Sequence, residues 1–243
     1  MISIFAAFQF LTILPPIIRR NFTPQELGRS VAFYPLVGLV LAGIFYGLQV
    51  GLATILTSHL TVVILLAVWL ILTRSLHFDG FLDSCDGLFG AFSSQRRLEI
   101  MHDSRVGAFG VAGGIILLLT KYAALLSLQN SMTALILSPL LGRFMMSQAI
   151  VLYPYARTEG LGKDIKDNAG WIQLLIALLI SLSIVWFAAG WHGLIISAAI
   201  ILLGNLWLRF VIKRLPGLTG DIYGATCEIV EVLTLVFFTI NIF

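Results

Sequence analysis

Apolar residues run along this chain in blocks of 16 to 24, broken by short polar stretches. A helix rises about 1.5 Å per residue and needs about 20 apolar residues to cross a hydrocarbon core of roughly 30 Å. The blocks fall at 31–54, 59–76, 106–128, 132–153, 171–189, 193–212 and 228–243, which predicts an all-α, polytopic transmembrane helical bundle of about seven spans. Ser58 and His59 are the only polar punctuation between the first two blocks, so counts of six and eight fit the same pattern. Residues 1–14 are apolar but too short to span, lack a basic leader and stop at Pro15-Pro16. They predict an interfacial or re-entrant helix, with packing against the bundle as the alternative.

The polar connections alternate in kind. One set carries Arg19, Arg20, Arg29, Arg96, Arg97, Arg105, Arg157, Lys163, Lys166, Lys213 and Arg214. The opposite turns, at 57–60, 129–131 and 190–193, carry no Lys or Arg and little that is polar beyond Ser58, His59, Gln129, Asn130 and His192. The positive-inside rule then predicts a cytoplasmic N-terminus and cytoplasmic charged loops in a multi-pass protein of the cell inner membrane. Composition agrees: 59% of residues are hydrophobic and 11% charged, against about 25% charged in soluble domains. No length is left over for a soluble domain, so 1–243 is read as a single integral membrane catalytic domain whose surroundings are a lipid bilayer. The net charge of +3 is spread over the loops, which excludes a nucleic-acid-binding stripe. Cys85 and Cys227 fall on the cytoplasmic side and are expected to stay reduced. The pattern is compatible with a homo-oligomer.

The acids share the side of the basic loops. The densest segment is His77-Phe-Asp79-Gly-Phe-Leu-Asp83-Ser-Cys-Asp86-Gly87. On a helix, Asp79, Asp83 and Asp86 stand at i, i+4 and i+7, inside an arc of about 60°. Such carboxylates repel by roughly 3 kcal/mol per pair at about 6 Å and an effective dielectric near 20. A hard divalent cation, Mg²⁺ or Mn²⁺, bound together with substrate phosphate oxygens, would offset that repulsion. A solvated face is the alternative, but Phe78, Phe81, Leu82, Leu88 and Phe89 are interleaved at helical spacing and point to a lined cleft. Gly80 and Gly87 are expected to bring backbone within reach of a bulky ligand. Downstream, Asp103, Ser104 and Arg105 precede the next apolar block. Asp103 is read as a fourth metal ligand or a general base, with capping of that helix as its alternative, and Arg105 as a phosphate partner.

Other polar groups supplement this set. Arg157 and Lys163 border a glycine-bearing turn and are candidate phosphate cations, while Asp221 opens the segment that carries Glu228 and Glu231. Glu231 should lie about a turn into the bilayer and therefore needs a cationic partner. Lys121 and Arg143 are ionisable residues at membrane depth, with snorkelling as the competing account. His77 and His102 lack the spacing of a zinc site.

Taken in order, the segments at Phe10–Pro15, Tyr34–Gly38, His77–Gly90, Met101–Gly110, Tyr155–Gly162 and Gly220–Glu228 resemble the cobalamin synthase family, the adenosylcobinamide-GDP ribazoletransferases. Phe78, Ser84-Cys85 and His102 depart mildly from that family's pattern. The resemblance implies joining adenosylcobinamide-GDP to α-ribazole or its 5′-phosphate with release of GMP, a late step of cobalamin biosynthesis, with Mg²⁺ as cofactor. Under it, Asp79, Asp83, Asp86 and Asp103 are the metal set, and Asp103, Asp86 and Arg105 the catalytic groups. Arg105, Arg157 and Lys163 would hold phosphate, and Asp221, Glu228 and Arg143 are further polar candidates. A CDP-alcohol-type membrane phosphotransferase is the nearest rival and a cation transporter the more distant one.

Overall fold

A computed structural model describes residues 2–128 and 131–240. Met1, Gln129, Asn130 and 241–243, which the predicted N-terminal segment, one outer turn and the last span include, lie outside the described residues. Every named element is helical: α1 (Ile2–Leu11), α2 (Pro24–Ser30), α3 (Tyr34–Ala53), α4 (Ser58–Leu72), α5 (Leu76–Gly90), α6 (Ser94–Ile100), α7 (Ala108–Ser127), α8 (Met132–Leu152), α9 (Leu161–Asn168), α10 (Trp171–Ile212) and α11 (Gly220–Thr239). Among the described residues, five helices are long and apolar enough to cross a membrane, and a sixth candidate is the α4–α5 pair, bent by 89°.

Burial sorts the helices into layers. In α8, 83% of the most apolar window is buried inside the protein, against 22% in α10, so α8 is the central post and α10 lies at the periphery. Lipid is the natural cover for the outer face of α10, where Trp171, Leu175, Leu179, Phe187, Trp191 and Ile195 are exposed. Small residues set the inner spacing. A Cβ on Gly38 of α3 would lie 2.3 Å from the Pro139 carbonyl oxygen of α8, and one on Gly142 of α8 would lie 2.9 Å from the Glu231 side chain of α11. Close backbone approach of this kind is how helices gain van der Waals contact where water gives no hydrophobic drive.

Two breaks shape the bundle. Gly190 interrupts α10 with φ 55° and ψ −141°, a conformation open to glycine. Beyond it, a Cβ on Gly193 would lie 3.2 Å from Val185 Cγ1, eight residues back, which a straight helix would hold about 12 Å away. The chain therefore folds back sharply at Gly190. The other break is at Arg74 and Ser75, both left-handed with φ 56° and 52°, and it turns α5 away from α4. Each such residue costs about 1–2 kcal/mol, so packing of α5 on α7 and α11 must hold the turn in place. α1 packs on α2 and α3 with Ala6, Ala7 and Leu11 buried, the alternative reading of the N-terminal segment.

Candidate active site

α5 sits between the first turns of α7 and α11, and glycine makes both contacts. Cβ atoms on Gly113 and Gly114 of α7 would meet Cys85 Sγ at 2.7 Å and Leu82 Cδ2 at 2.5 Å. On the other side, a Cβ on Gly80 would lie 2.8 Å from the Asp221 carbonyl oxygen, and one on Gly87 would meet Met101 and the Arg97 carbonyl. Gly80 and Gly87 thus serve helix packing, and Gly80 also lines a narrow cavity.

The three aspartates of α5 have different surroundings. Asp86 is buried, and its two oxygens accept from Gly107 N at 2.7 Å and Gly110 N at 2.8 Å. Its carboxylate closes the positive N-terminal end of α7, the capping task for which Asp103 and Ser104 were the sequence candidates. Gly107 and Gly110 permit this, since a Cβ at either would stand within 2.5 Å of an Asp86 oxygen. Replacing Asp86 by Ala is expected to cost about 2–3 kcal/mol, as two helix-terminal N–H groups lose a charged acceptor. Unfolding in mixed micelles measures this, with exposed Asp79→Ala as a control expected within about 0.5 kcal/mol of wild type.

Asp79 and Asp83 are free by comparison. Asp79 is exposed and Asp83 half-buried, and neither has a hydrogen-bond or ion-pair partner among the described residues. Asp83 stands within electrostatic reach of the like charges of Asp79, Asp221 and Asp86 and of the opposite charge of Arg157. Asp221 reaches this group from the first turn of α11. The Thr219 hydroxyl accepts from Ile222 N and donates to Asp221 Oδ2, and Arg157 Nη2 donates to the same oxygen at 3.1 Å.

Arg157 arrives through a clamp between two loops. Leu218 N donates to the Pro154 carbonyl and Ala156 N to the Leu218 carbonyl, both at 2.8 Å, in an isolated parallel bridge between Tyr155 and Leu218. Gly217 makes it fit, because a Cβ there would lie 2.7 Å from Ala156 N.

Two cavities flank the Arg157–Asp221 pair. One is narrow, about 210 Å³, and has Asp79, Gly80 and Asp221 at one side and mostly apolar side chains elsewhere. The other is an open cleft of about 970 Å³ between α6 and the 156–160 loop, with Glu99, His102, Arg157 and Glu159 on its walls. Sequence reasoning missed α6 as a cleft wall, and its polar face offers no local signal distinct from an ordinary solvated helix.

The remaining candidates lie elsewhere. Asp103 and Arg105 form a bidentate pair on the exposed loop before α7, at 3.0 and 2.7 Å, and line neither cavity. The Arg105 guanidinium and backbone N–H hold the Asp103 carboxyl down to about 2. Lys163 pairs with Asp167 one turn along α9. Arg143 and Glu228 are buried in the bundle centre with Lys121 and Glu231, on neither cavity.

A family profile described as cobalamin-5-phosphate synthase matches residues 3–239. The chain belongs to that family. It is 41% identical over 232 residues to an adenosylcobinamide-GDP ribazoletransferase of Desulforamulus reducens, covering 94% of this chain and 92% of that one. It is 38% identical to proteins of the same name from Pseudomonas fluorescens, over 97% and 98% of the two chains, and from Acinetobacter baumannii ATCC 17978, over 100% and 99%. No solved structure matches the chain.

Proposed function

We propose that this protein is a membrane-embedded adenosylcobinamide-GDP ribazoletransferase of cobalamin biosynthesis, working at the Asp79–Asp83–Asp221 face. The observation that carries the mechanism is the pair of unpartnered carboxylates, Asp79 and Asp83, within electrostatic reach of the Arg157–Asp221 ion pair, with Asp79 and Asp221 on the wall of the narrow cavity and Arg157 on that of the open cleft. In the reaction, a ribazole hydroxyl oxygen bonds to the phosphorus attached to the corrinoid, the P–O–P bond to the guanylate breaks, GMP leaves and the hydroxyl proton passes to a base.

The residues suit Mg²⁺ in its usual open arrangement, with one or two carboxylates and substrate phosphate oxygens in place of an all-protein cage. Among the described residues no three His, Cys, Asp or Glu side chains form such a cage. Asp79 has free oxygens for the ion, with Asp221 beside it, and Asp83 keeps its own for the proton, whereas Asp86 and Asp103 have theirs engaged. When bound, Mg²⁺ would screen the diphosphate and stabilise departing GMP. Arg157 neutralises a phosphate oxygen by exchanging Asp221 for substrate, and Arg105 and Lys163 could join only by releasing Asp103 and Asp167. Asp83, unpaired and half-buried, takes the hydroxyl proton. Asp86 contributes by locking α5 to α7.

Asp103 is expected to stay out of the proton chemistry. Its carboxyl is held near 2, so it is ionised throughout pH 4–9, and the stabilisation linked to that ionisation is lost only as pH falls toward 2. The acid limb of the pH–rate profile should therefore be the same in Asp103→Asn as in wild type; a shifted limb would return Asp103 to the role of base.

Reading α10 as two crossings that meet at Gly190, and α4–α5 as one broken crossing, yields seven spans. The basic loops support a cytoplasmic N-terminus and a site facing the cytoplasm of the inner membrane. A donor test decides the activity: release of labelled GMP from adenosylcobinamide-GDP in the presence of α-ribazole and Mg²⁺. Release of CMP from a CDP-alcohol without GMP release would replace this reading by the lipid phosphotransferase.

A further inference from the structure

The narrow cavity holds more chemistry than the phosphoryl transfer uses. His77, Tyr34 and Tyr223 line it, are 1%, 0% and 4% exposed, and have the His77 ring nitrogen Nε2 and both tyrosine hydroxyls without hydrogen-bond partners among the described residues. Buried polar atoms are nearly always paired in folded proteins, so orphans on a cavity wall point to a ligand. The tautomer of His77 follows from its other nitrogen. Nδ1 lies 3.3 Å from Arg143 Nη2, and a guanidinium only donates. Nδ1 therefore accepts, and in the neutral ring the proton sits on Nε2, a buried N–H donor with nothing to receive it.

We propose that this cavity receives the aromatic base of the nucleoside acceptor, with His77 Nε2–H donating to the one ring nitrogen of that base that is free of sugar and hydrogen. The inference rests on α-ribazole being the acceptor. Size supports it: about 210 Å³ falls below the roughly 300–1,000 Å³ of drug-sized sites, too small for a corrinoid and suited to one fused ring system. The walls agree, since Phe10, Met146, Ile150 and Ile165 are apolar and would face the hydrocarbon edge of a benzimidazole. A glycosylated benzimidazole has a single acceptor nitrogen and no N–H, so it can take one donor, His77 Nε2–H, while the Tyr34 and Tyr223 hydroxyls on the same wall are left for its sugar or for water. Guanine, the other base in the reaction, would leave several donors and acceptors unpaired there. Position completes the fit. Asp79, two residues beyond His77, and Asp221 line the same cavity, so a seated base would leave its sugar hydroxyls near the unpaired Asp79 carboxylate and the Arg157–Asp221 pair.

Binding to the full-length protein in lipid nanodiscs, read by titration calorimetry, tests this without turnover. The probes are α-ribazole, its indole counterpart with C–H in place of the free ring nitrogen, and guanosine. Wild type is expected to bind α-ribazole about tenfold tighter than the indole nucleoside, the worth of one hydrogen bond. His77→Leu should erase that discrimination and His77→Gln, which keeps an N–H donor, should retain part of it. Ile150→Trp, which fills the cavity, should weaken both nucleosides at least tenfold. Equal affinities of the two nucleosides for wild type, undiminished discrimination in His77→Leu, normal binding to Ile150→Trp, or tighter binding of guanosine would each overturn the proposal; the first needs no variant to fold. GMP release is assayed separately, so loss of the cavity assignment with activity intact is distinguishable from failure of the activity itself.

Discussion

Asp83→Asn is expected to lower metal-dependent GMP release by about 10²–10⁴-fold, the usual worth of a positioned proton acceptor, while the protein still inserts and folds. Asp83 has no partner to lose, so the substitution should leave stability close to wild type and act on chemistry alone. Neighbouring Asp86→Asn has the opposite signature, because it weakens a helix cap and lowers folding stability together with activity. The measurement is single-turnover release of labelled GMP at saturating donor and Mg²⁺, beside an unfolding curve of the same preparation. Turnover within threefold of wild type would remove Asp83 from the reaction and with it the proposed use of the α5 face.

Glu231→Gln should be the most damaging single change to stability, by about 3–5 kcal/mol. Glu231 is fully buried and neutralises two cations: Lys121, at 2.5 Å, and Arg143. Lys121 also reaches Glu228 at 2.6 Å and lies 4.7 Å from the Trp69 ring centroid, so two cations and two anions close a neutral cluster that ties α4, α7, α8 and α11 together. Removing one anion leaves an uncompensated cation in a setting with little water. The exposed pair Lys163–Asp167 offers the contrast, since breaking it should cost no more than about 1 kcal/mol. Reversible unfolding in mixed micelles tests both. A loss below 1 kcal/mol for Glu231→Gln would mean that water or lipid headgroups already solvate the cluster. The cluster also bears on transport: its charges cancel internally at the bundle centre, an arrangement suited to joining helices.

Much of this was legible in the linear order of residues. The apolar blocks placed most helices, including a boundary near Gly190, where the backbone of α10 leaves the helical conformation. The need of Glu231 for a cation followed from its depth alone, and Lys121 and Arg143 supply it; Lys121, at 3% exposure, does not snorkel. The spacing of Asp79, Asp83 and Asp86 marked the helix on which chemistry is proposed.

Helical periodicity and apolar run length are local properties, each decided within a few turns by hydrogen bonding and by the cost of exposing backbone to lipid, so the sequence by itself determined most of the helices and their apolar faces. What Asp86, Asp221 and Glu231 touch depended on residues far along the chain: 21 and 24 positions away for Asp86, 64 for Asp221 and as many as 110 for Glu231. Only tertiary packing decided that Asp86 caps α7 and that His77 faces a cavity with one nitrogen unmatched. Those outcomes turn on approaches of an ångström or two at glycines 107, 110 and 80, and such distances are set by how whole helices seat against one another.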